Sequence, residues 1–381
     1  MIQKISIKNF KSIKSIEFDT GQINVIIGEN GSGKSNILEG IALGGAASLD
    51  LLTNEFLFSR GIRIQDPGNI FHTKQKEILI EIRDIKLETY SYQIKYNKKK
   101  GLYDYFNEGY LSFLKKNYED LVNTKINKEK TNFNNISLEN QEIIAEVTKD
   151  IIAKLEIGEK NINSDLSNFL IFSPEVKALR NFYDEAQVSP LGINGEGLFN
   201  ELKRLFNLKS LKKINQIISN LKLIDWFDGM EIDRDSFIGE KKLLLKDKFL
   251  NSKIQYIDQR STNEGFLFLL FYLTLFISEK TPKFFAIDNI EASFNPKMCI
   301  KLMEVLTKLA VENNKQVLFT THNPYVLDGL NIEDQKQRLF VVRRSLNGET
   351  VINRVQPKQK LTIPLSEAWM SGLLGGLPNN F

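Results

Sequence analysis

The chain has 381 residues, 42% of them apolar and 26% charged, as expected of a globular protein, and its net charge of +4 neither demands nor excludes a polyanionic partner. A single cysteine, Cys299, rules out an internal disulfide and points to a reducing compartment, the cytoplasm. The N-terminus lacks an apolar core of signal-peptide length, and the most apolar run, Phe266 to Ile277, is too short to span a bilayer, so no membrane anchor is expected.

Taken in chain order, Ile5, Ile7 and Phe10, then Ile13, Ile16 and Phe18, alternate as the two strands of a hairpin would. Ile23 to Ile27 is a compact apolar run suited to a buried strand. It leads into a glycine-rich loop, Gly28 to Ser35, and a predicted helix from Lys34 to beyond Leu43. Ile78 to Ile82 and Tyr90 to Tyr96 alternate as an antiparallel pair. From 98 to 168 Lys, Asn and Glu dominate, glycine is sparse, and Leu111, Leu114, Tyr118, Leu121 and then Ile143, Ile144, Val147, Ile151 show helical spacing. This stretch reads as a helical insertion dividing a head into residues 1–97 and 169–381. Leu198 to Phe227 is predicted helical, Leu243 to Leu245 and Ile254 to Ile257 are strand candidates, and Phe266 to Ile277, apolar on every side, is a buried helix. Phe284 to Ile287 and Val317 to Thr320 flank an amphipathic helix, Lys297 to Glu312. That βαβ unit calls for a parallel sheet, and so for an α/β fold.

Strand, glycine loop and helix in this order form the setting of a P-loop. Gly28, Gly31 and Gly33 let backbone N–H groups turn toward phosphates. Lys34 supplies a point charge, and the Ser35 hydroxyl can ligate Mg²⁺. An apolar strand ending in Asp288 suits the metal side of such a site. A second strand ends in His322, which can sense a γ-phosphate; the plainer reading is a capped residue at a strand end. Nine lysines between Lys95 and Lys130 are diluted by five acids, which favours a solvated face over a nucleic-acid surface, so DNA is a candidate partner without a clear patch. Phe10, Lys11 and Arg60 are further candidates for touching nucleotide.

The stretches NVIIGENGSGKSN (24–36), IDNIEASFNP (287–296) and TTHNP (320–324), in this order and spacing, resemble the ABC-type ATPase heads of SMC-like proteins, and Asn9-Phe10-Lys11-Ser12 looks like the start of the same heads. The resemblance covers the chain except the insertion. It is nearest to small standalone ATPases of bacterial phage-defence systems, the group of OLD-family, Septu and RloA-like proteins, whose ending Leu373 to Pro378 is also similar to. It implies an ABC-type head with an N-terminal antiparallel part and a central parallel sheet with flanking helices. It also implies ATP and Mg²⁺ as cofactors, held by Asn30, Gly31, Ser32, Gly33, Lys34, Ser35 and Asn36, with Ser35 and Asp288 on the metal.

The resemblance further implies a homodimer, in which a signature motif at a helix start reaches the partner's γ-phosphate. Asn263-Glu264-Gly265 is the candidate here, with Asn263 where the family usually has serine, and a plain helix cap is the alternative. Ser293-Phe294-Asn295 is then the loop that crosses the dimer interface. The main departure is Asn289. Most such ATPases place Glu after the metal Asp, to orient or deprotonate the attacking water. Asn can hydrogen-bond a water but cannot take its proton, and Glu291 is the possible substitute. The expected catalytic set is therefore Lys34, Asp288, Asn289, Glu291 and His322, with slow hydrolysis.

The leading functional expectation is a nucleotide-gated sensor or scaffold in anti-phage defence, paired with a separately encoded effector such as a nuclease or toxin. About 60 residues follow His322, too few for the Toprim nuclease module of OLD proteins. The second is a DNA-repair or chromosome-associated SMC-like ATPase, against which an insertion this short, with broken heptads, counts. The third is a transporter ATPase subunit, which the insertion and the SMC-like N-terminus disfavour.

Overall fold

The computed structural model describes residues 1–63, 70–73, 77–97, 102–106, 163–182, 190–207, 211–232, 242–250, 256–356 and 363–377. Labels below cover the strands and the helices of ten or more residues. The chain opens with β1 (Ile2–Phe10), β2 (Ile13–Asp19) and β3 (Ile23–Ile27), followed by α1 (Lys34–Ser48). Next come β4 (Glu77–Asp84), β5 (Thr89–Asn97), β6 (Leu102–Phe106) and β7 (Ile171–Phe172). Helices α2 (Leu198–Asn207) and α3 (Lys212–Leu221) precede β8 (Phe227–Ile232), β9 (Leu243–Asp247) and β10 (Ile257–Asp258). The remainder is α4 (Glu264–Ile277), β11 (Phe284–Ile287), α5 (Pro296–Glu312), β12 (Gln316–Thr320), β13 (Gln337–Arg344) and β14 (Thr350–Val355).

The central sheet has the order β14-β13-β3-β12-β11-β7, with every neighbouring pair parallel except β13 and β14. Strands β11 and β12 have apolar centres because both faces of the sheet are covered. Val25, Ile27, Phe285, Ile287, Val317 and Phe319 face one core, shared with α2, α3, α4 and α5. The alternate residues Ile26, Phe284, Ala286 and Leu318 face the other, shared with α1 and the antiparallel sheet β2-β1-β4-β5-β6. Helix α1 is thus sandwiched between two sheets, and the loop before it is held from several sides. Helix α4 has no polar face: Phe266 to Ile277 are all buried, each large apolar side chain contributing about 1.5–3 kcal/mol.

Three expectations are corrected. Residues 102–106, placed in a helical insertion, form β6 and extend the antiparallel sheet beside β5. At the other boundary, the helical turn Ser164–Ser167 buries Leu166 in the core that α1 shares, so it too belongs to the head. The helical patterns at 111–121 and 143–151 lie outside the described residues. Leu198 to Phe227 is not one helix: α2 and α3 are separate, and Phe227 opens a strand, because Ile214, Ile217 and Leu221 keep helical spacing only until the turn at 222–226. Of Ile254 to Ile257, only Ile257 lies in a strand among the described residues.

Candidate nucleotide site

The loop between β3 and α1 is built for close approach. Gly28 has φ 149° and Gly33 has φ 110°. A Cβ at Gly28 would lie 2.1 Å from the Val342 carbonyl oxygen, and one at Gly33 would lie 2.1 Å from Thr350 Oγ1, so both positions exclude side chains. Helix α1 begins at Lys34 with no side-chain cap and no acid in its first turn, which leaves its N-terminal N–H groups open to an anion. Ser32 Oγ is buried without a partner among the described residues. Asn30 and Gly31 sit on the exposed rim.

Lys34 is 6% exposed and donates to the carbonyls of Gly28 (2.8 Å) and Glu29 (3.0 Å). Burial pushes its ammonium down to about 8, against the pull of Asp288, Glu291 and Glu29. Ser35 Oγ donates to Asp288 Oδ2 at 3.3 Å. Thr320 Oγ1 donates to Asp288 Oδ1 and accepts from the Asn289 N–H at 2.9 Å, so the end of β12 aims the carboxylate at the loop. The parallel register of β11 on β12 causes this placement: Ile287 pairs with Phe319, which sets Asp288 beside Thr320.

Asn289 takes a left-handed backbone, φ 57°, and is exposed. The chain therefore turns out of the strand at this residue, and Glu291 folds back toward His322, whose N–H donates to Glu291 Oε1 at 2.8 Å. Glu291 Oε2 is buried with no partner among the described residues. Burial, then Lys34, hold the His322 imidazole below its ordinary value, opposed by Glu291 and Asp288. Lys34, Ser35, Asp288, Asn289, Glu291 and His322 are thus brought to one place.

The remaining candidates divide. Asn36 Nδ2 donates to Ser12 Oγ at 2.6 Å; that hydroxyl lies 2.6 Å from Thr350 Oγ1, which donates to Ser32 O at 3.1 Å. Asn36 therefore braces the loop. Asn263 Oδ1 accepts from Phe266 N at 2.8 Å, the plain helix cap, while a Cβ at Gly265 would lie 3.2 Å from Ser293 O. The signature candidate and the Ser293 loop form one surface. Phe10, Lys11 and Arg60 have structural roles. Phe10 is fully buried, and Lys11 pairs with the buried Glu39. Arg60, 6% exposed, holds the carbonyls of Phe169 (2.9 Å) and Ser167 (2.6 Å). Lys95 pairs with Glu77 across the sheet, and the other eight lysines of the basic run lie outside the described residues.

Two residues that carry no motif also serve the site. Arg344, at the end of β13, donates to the Gly31 carbonyl at 2.8 Å. Arg63 is exposed, bonds to Glu39 at 2.7 Å, and feels the charge of Asp288. Among the described residues no three His, Cys, Asp or Glu side chains gather as a self-contained metal site. The open helix end, the Cβ-free cradle and the Ser35–Asp288 pair fit a nucleotide with a divalent cation that shares its coordination with phosphate. No described helix is long and apolar enough to cross a membrane.

Comparison with known proteins agrees with this geometry. A solved SMC head bound to the C-winged helix domain of ScpA is similar in fold, with TM-score 0.56 and 14% identity, covering 94% of this chain and 99% of that one. The DNA replication and repair protein RecF of Rickettsia rickettsii is 33% identical over 81 residues, 21% of this chain and 19% of that protein. The DNA double-strand break repair Rad50 ATPase of Saccharolobus solfataricus is 34% identical over 89 residues, 23% of this chain and 10% of that protein. The chain spans less than half the length of the curated relatives it matches. The family described as "AAA domain, putative AbiEii toxin, Type IV TA system" matches residues 23–328, which takes in the P-loop, the Asp288 strand and His322. The chain belongs to that AAA-domain family, and its fold is similar to that of an SMC head.

Proposed function

We propose that this ATPase binds ATP with Mg²⁺, hydrolyses it slowly, and uses the ATP-bound state to hold two copies together as a cytoplasmic sensor or scaffold for a separately encoded effector in anti-phage defence. The observation that carries the slow-switch reading is the chain's path after Asp288. Asn289 stands where a carboxylate would assist water, and the next carboxylate, Glu291, has one oxygen tied to the His322 N–H. Lys34 neutralises phosphate charge, while Ser35 and Asp288 would hold the cation, which supplies further charge neutralisation on the phosphates. His322 stands beside both acids and Lys34, so it is placed to sense the terminal phosphate. Asn289 can orient a water, and Glu291 Oε2 is the oxygen left to accept a proton.

The head's division is proposed as residues 1–97 and 169–381 about an insertion, with its edges trimmed by β6 and by the 164–167 turn. The family's description names a putative toxin, which applies to the matched domain itself, so the separate effector rests on the resemblance to phage-defence ATPases. Co-purification with the neighbouring gene product, with and without ATP, tests the reading; an effector retained only with ATP is the expected result. The second reading, a DNA-repair or chromosome-associated ATPase, draws on the local similarity to RecF and Rad50. ATP-dependent binding to duplex DNA in a gel-shift assay, with no protein partner recovered, would favour it instead.

A further inference from the structure

Residues 363–377 run beside the nucleotide site, from the segment after His322 to the P-loop. Their helical turn, Leu365–Met370, lies on the 3₁₀ segment Pro324–Gly329, which begins two residues after His322. Ser366 donates from its N–H (2.9 Å) and its Oγ (2.6 Å) to the two oxygens of Asp328. Ala368 and Trp369 are buried, and Leu365 and Leu374 pack against the same core as α4.

The chain then turns and brings Gly376, at φ 78°, against the P-loop. A Cβ there would sit 2.7 Å from Val341 Cγ1 and 3.4 Å from the Cα of Gly28. Gly28 is also crowded by the Val342 carbonyl. The first glycine of the P-loop therefore packs against both β13 and this segment. The segment's other end is fixed to the residues that follow the switch histidine.

We propose that Ser366 and Gly376 make residues 364–377 a strap that positions Gly28 relative to the His322 segment, so that strap docking and nucleotide binding reinforce each other. The proposal rests on the P-loop reading. Two anchors on one short segment make the distance between P-loop and switch segment depend on whether the strap is seated. A nucleotide that settles the P-loop must then settle the strap by the same factor, because coupling between two binding equilibria is reciprocal. Ser366 and Gly376 are positioning residues and touch no phosphate.

Hydrogen exchange of residues 364–377, with and without ATP and Mg²⁺, reads the coupling directly. Nucleotide is expected to slow exchange of the strap amides about fivefold or more. Gly376→Val, which cannot seat beside Gly28, should raise the ATP Kd by a similar factor and abolish the ATP effect on strap exchange. Ser366→Ala should do so in part, and Ser366→Thr, which keeps the hydroxyl, should restore it. Melting curves check that each variant folds; should Gly376→Val unfold, wild-type exchange and Ser366→Ala still decide the matter. If strap exchange ignores ATP while Lys34→Ala abolishes ATP binding, the strap is packing only and the proposal is overturned. If Lys34→Ala leaves ATP binding intact, the P-loop reading fails first and the strap proposal falls with it.

Discussion

Ser35 Oγ donates to Asp288 Oδ2 at 3.3 Å, although 253 residues separate them in the chain. A hydroxyl and a carboxylate at this separation can share one hard cation, and the charge of Asp288 helps keep the proton on the buried ammonium of Lys34. The charge balance of this group makes the first prediction one of pH.

Lys34 loses its proton near pH 8 because burial disfavours the ammonium, and phosphate binds the protonated form. ATP affinity is therefore full below about pH 8 and falls as pH rises through that value, by up to about tenfold per pH unit. Phosphate charge raises the lysine's pKa on binding, so between pH 8 and 9 the complex should take up protons. Isothermal titration in buffers of different ionisation enthalpy measures both effects. Lys34→Ala should weaken binding and remove the pH dependence above 8; an unchanged profile would count against Lys34 as the phosphate ligand.

Asn289 governs the second prediction. Its left-handed backbone is one that Asn tolerates and Glu resists by about 1–2 kcal/mol. Asn289→Glu should raise steady-state ATP turnover and shorten the life of the ATP-bound dimer, at some loss of thermal stability. Glu291→Gln should lower the residual rate, since general-base help is typically worth about 10² to 10⁴. A wild type that turns over many times per second, with Asn289→Glu no faster, would show that Asn289 is no brake.

The third concerns the α4 start. Gly265→Asp places a negative charge where the proposed dimer brings the opposite nucleotide, so ATP-dependent dimers should vanish from light scattering while each monomer still binds ATP. A Cβ here would press on Ser293 O at 3.2 Å, so Gly265→Ala is the control for crowding and should keep its dimers. Dimers that persist in Gly265→Asp would refute the signature assignment.

Arg60 gives a prediction of the opposite kind. Removing its guanidinium strands two carbonyls, of Ser167 and Phe169, beside the core. Arg60→Ala should cost about 2–4 kcal/mol in denaturant unfolding and leave the ATP affinity of the folded fraction unchanged. A selective loss of ATP affinity at normal stability would return Arg60 to the nucleotide site.

What was legible in the sequence follows from how local each signal is. The P-loop is one contiguous stretch, and β3, β11 and β12 are continuous apolar runs whose spacing survives without tertiary context. Strand β13 is hard to see because arginines bracket its apolar centre, and the helical reading of Leu198 to Phe227 runs into the first residue of β8 because no glycine or proline marks the turn at 222–226. The braces of the site were invisible for a different reason. Ser12, Thr350 and Arg344 meet the loop only through the sheet order that sets β13 beside β3, and none of them carries a motif. Glu291 was named as a candidate, but its attachment to the His322 backbone depends on the turn at Asn289, which spacing alone does not reveal.

The all-apolar α4 also sets a problem of biosynthesis. Its last twelve residues, from Phe266 to Ile277, carry no charge, and the aromatic rings that cover Phe276 come from Phe285 and Phe319, both later in the chain. Strand β12 is not finished until Thr320. A ribosome adding roughly 5–20 residues per second needs about 2–9 s to supply that cover. Phe266 and Phe271 can settle on Trp226, Phe227 and Phe172, made earlier, but the Phe276 end of α4 waits for its rings and is the aggregation-prone part until β12 is out.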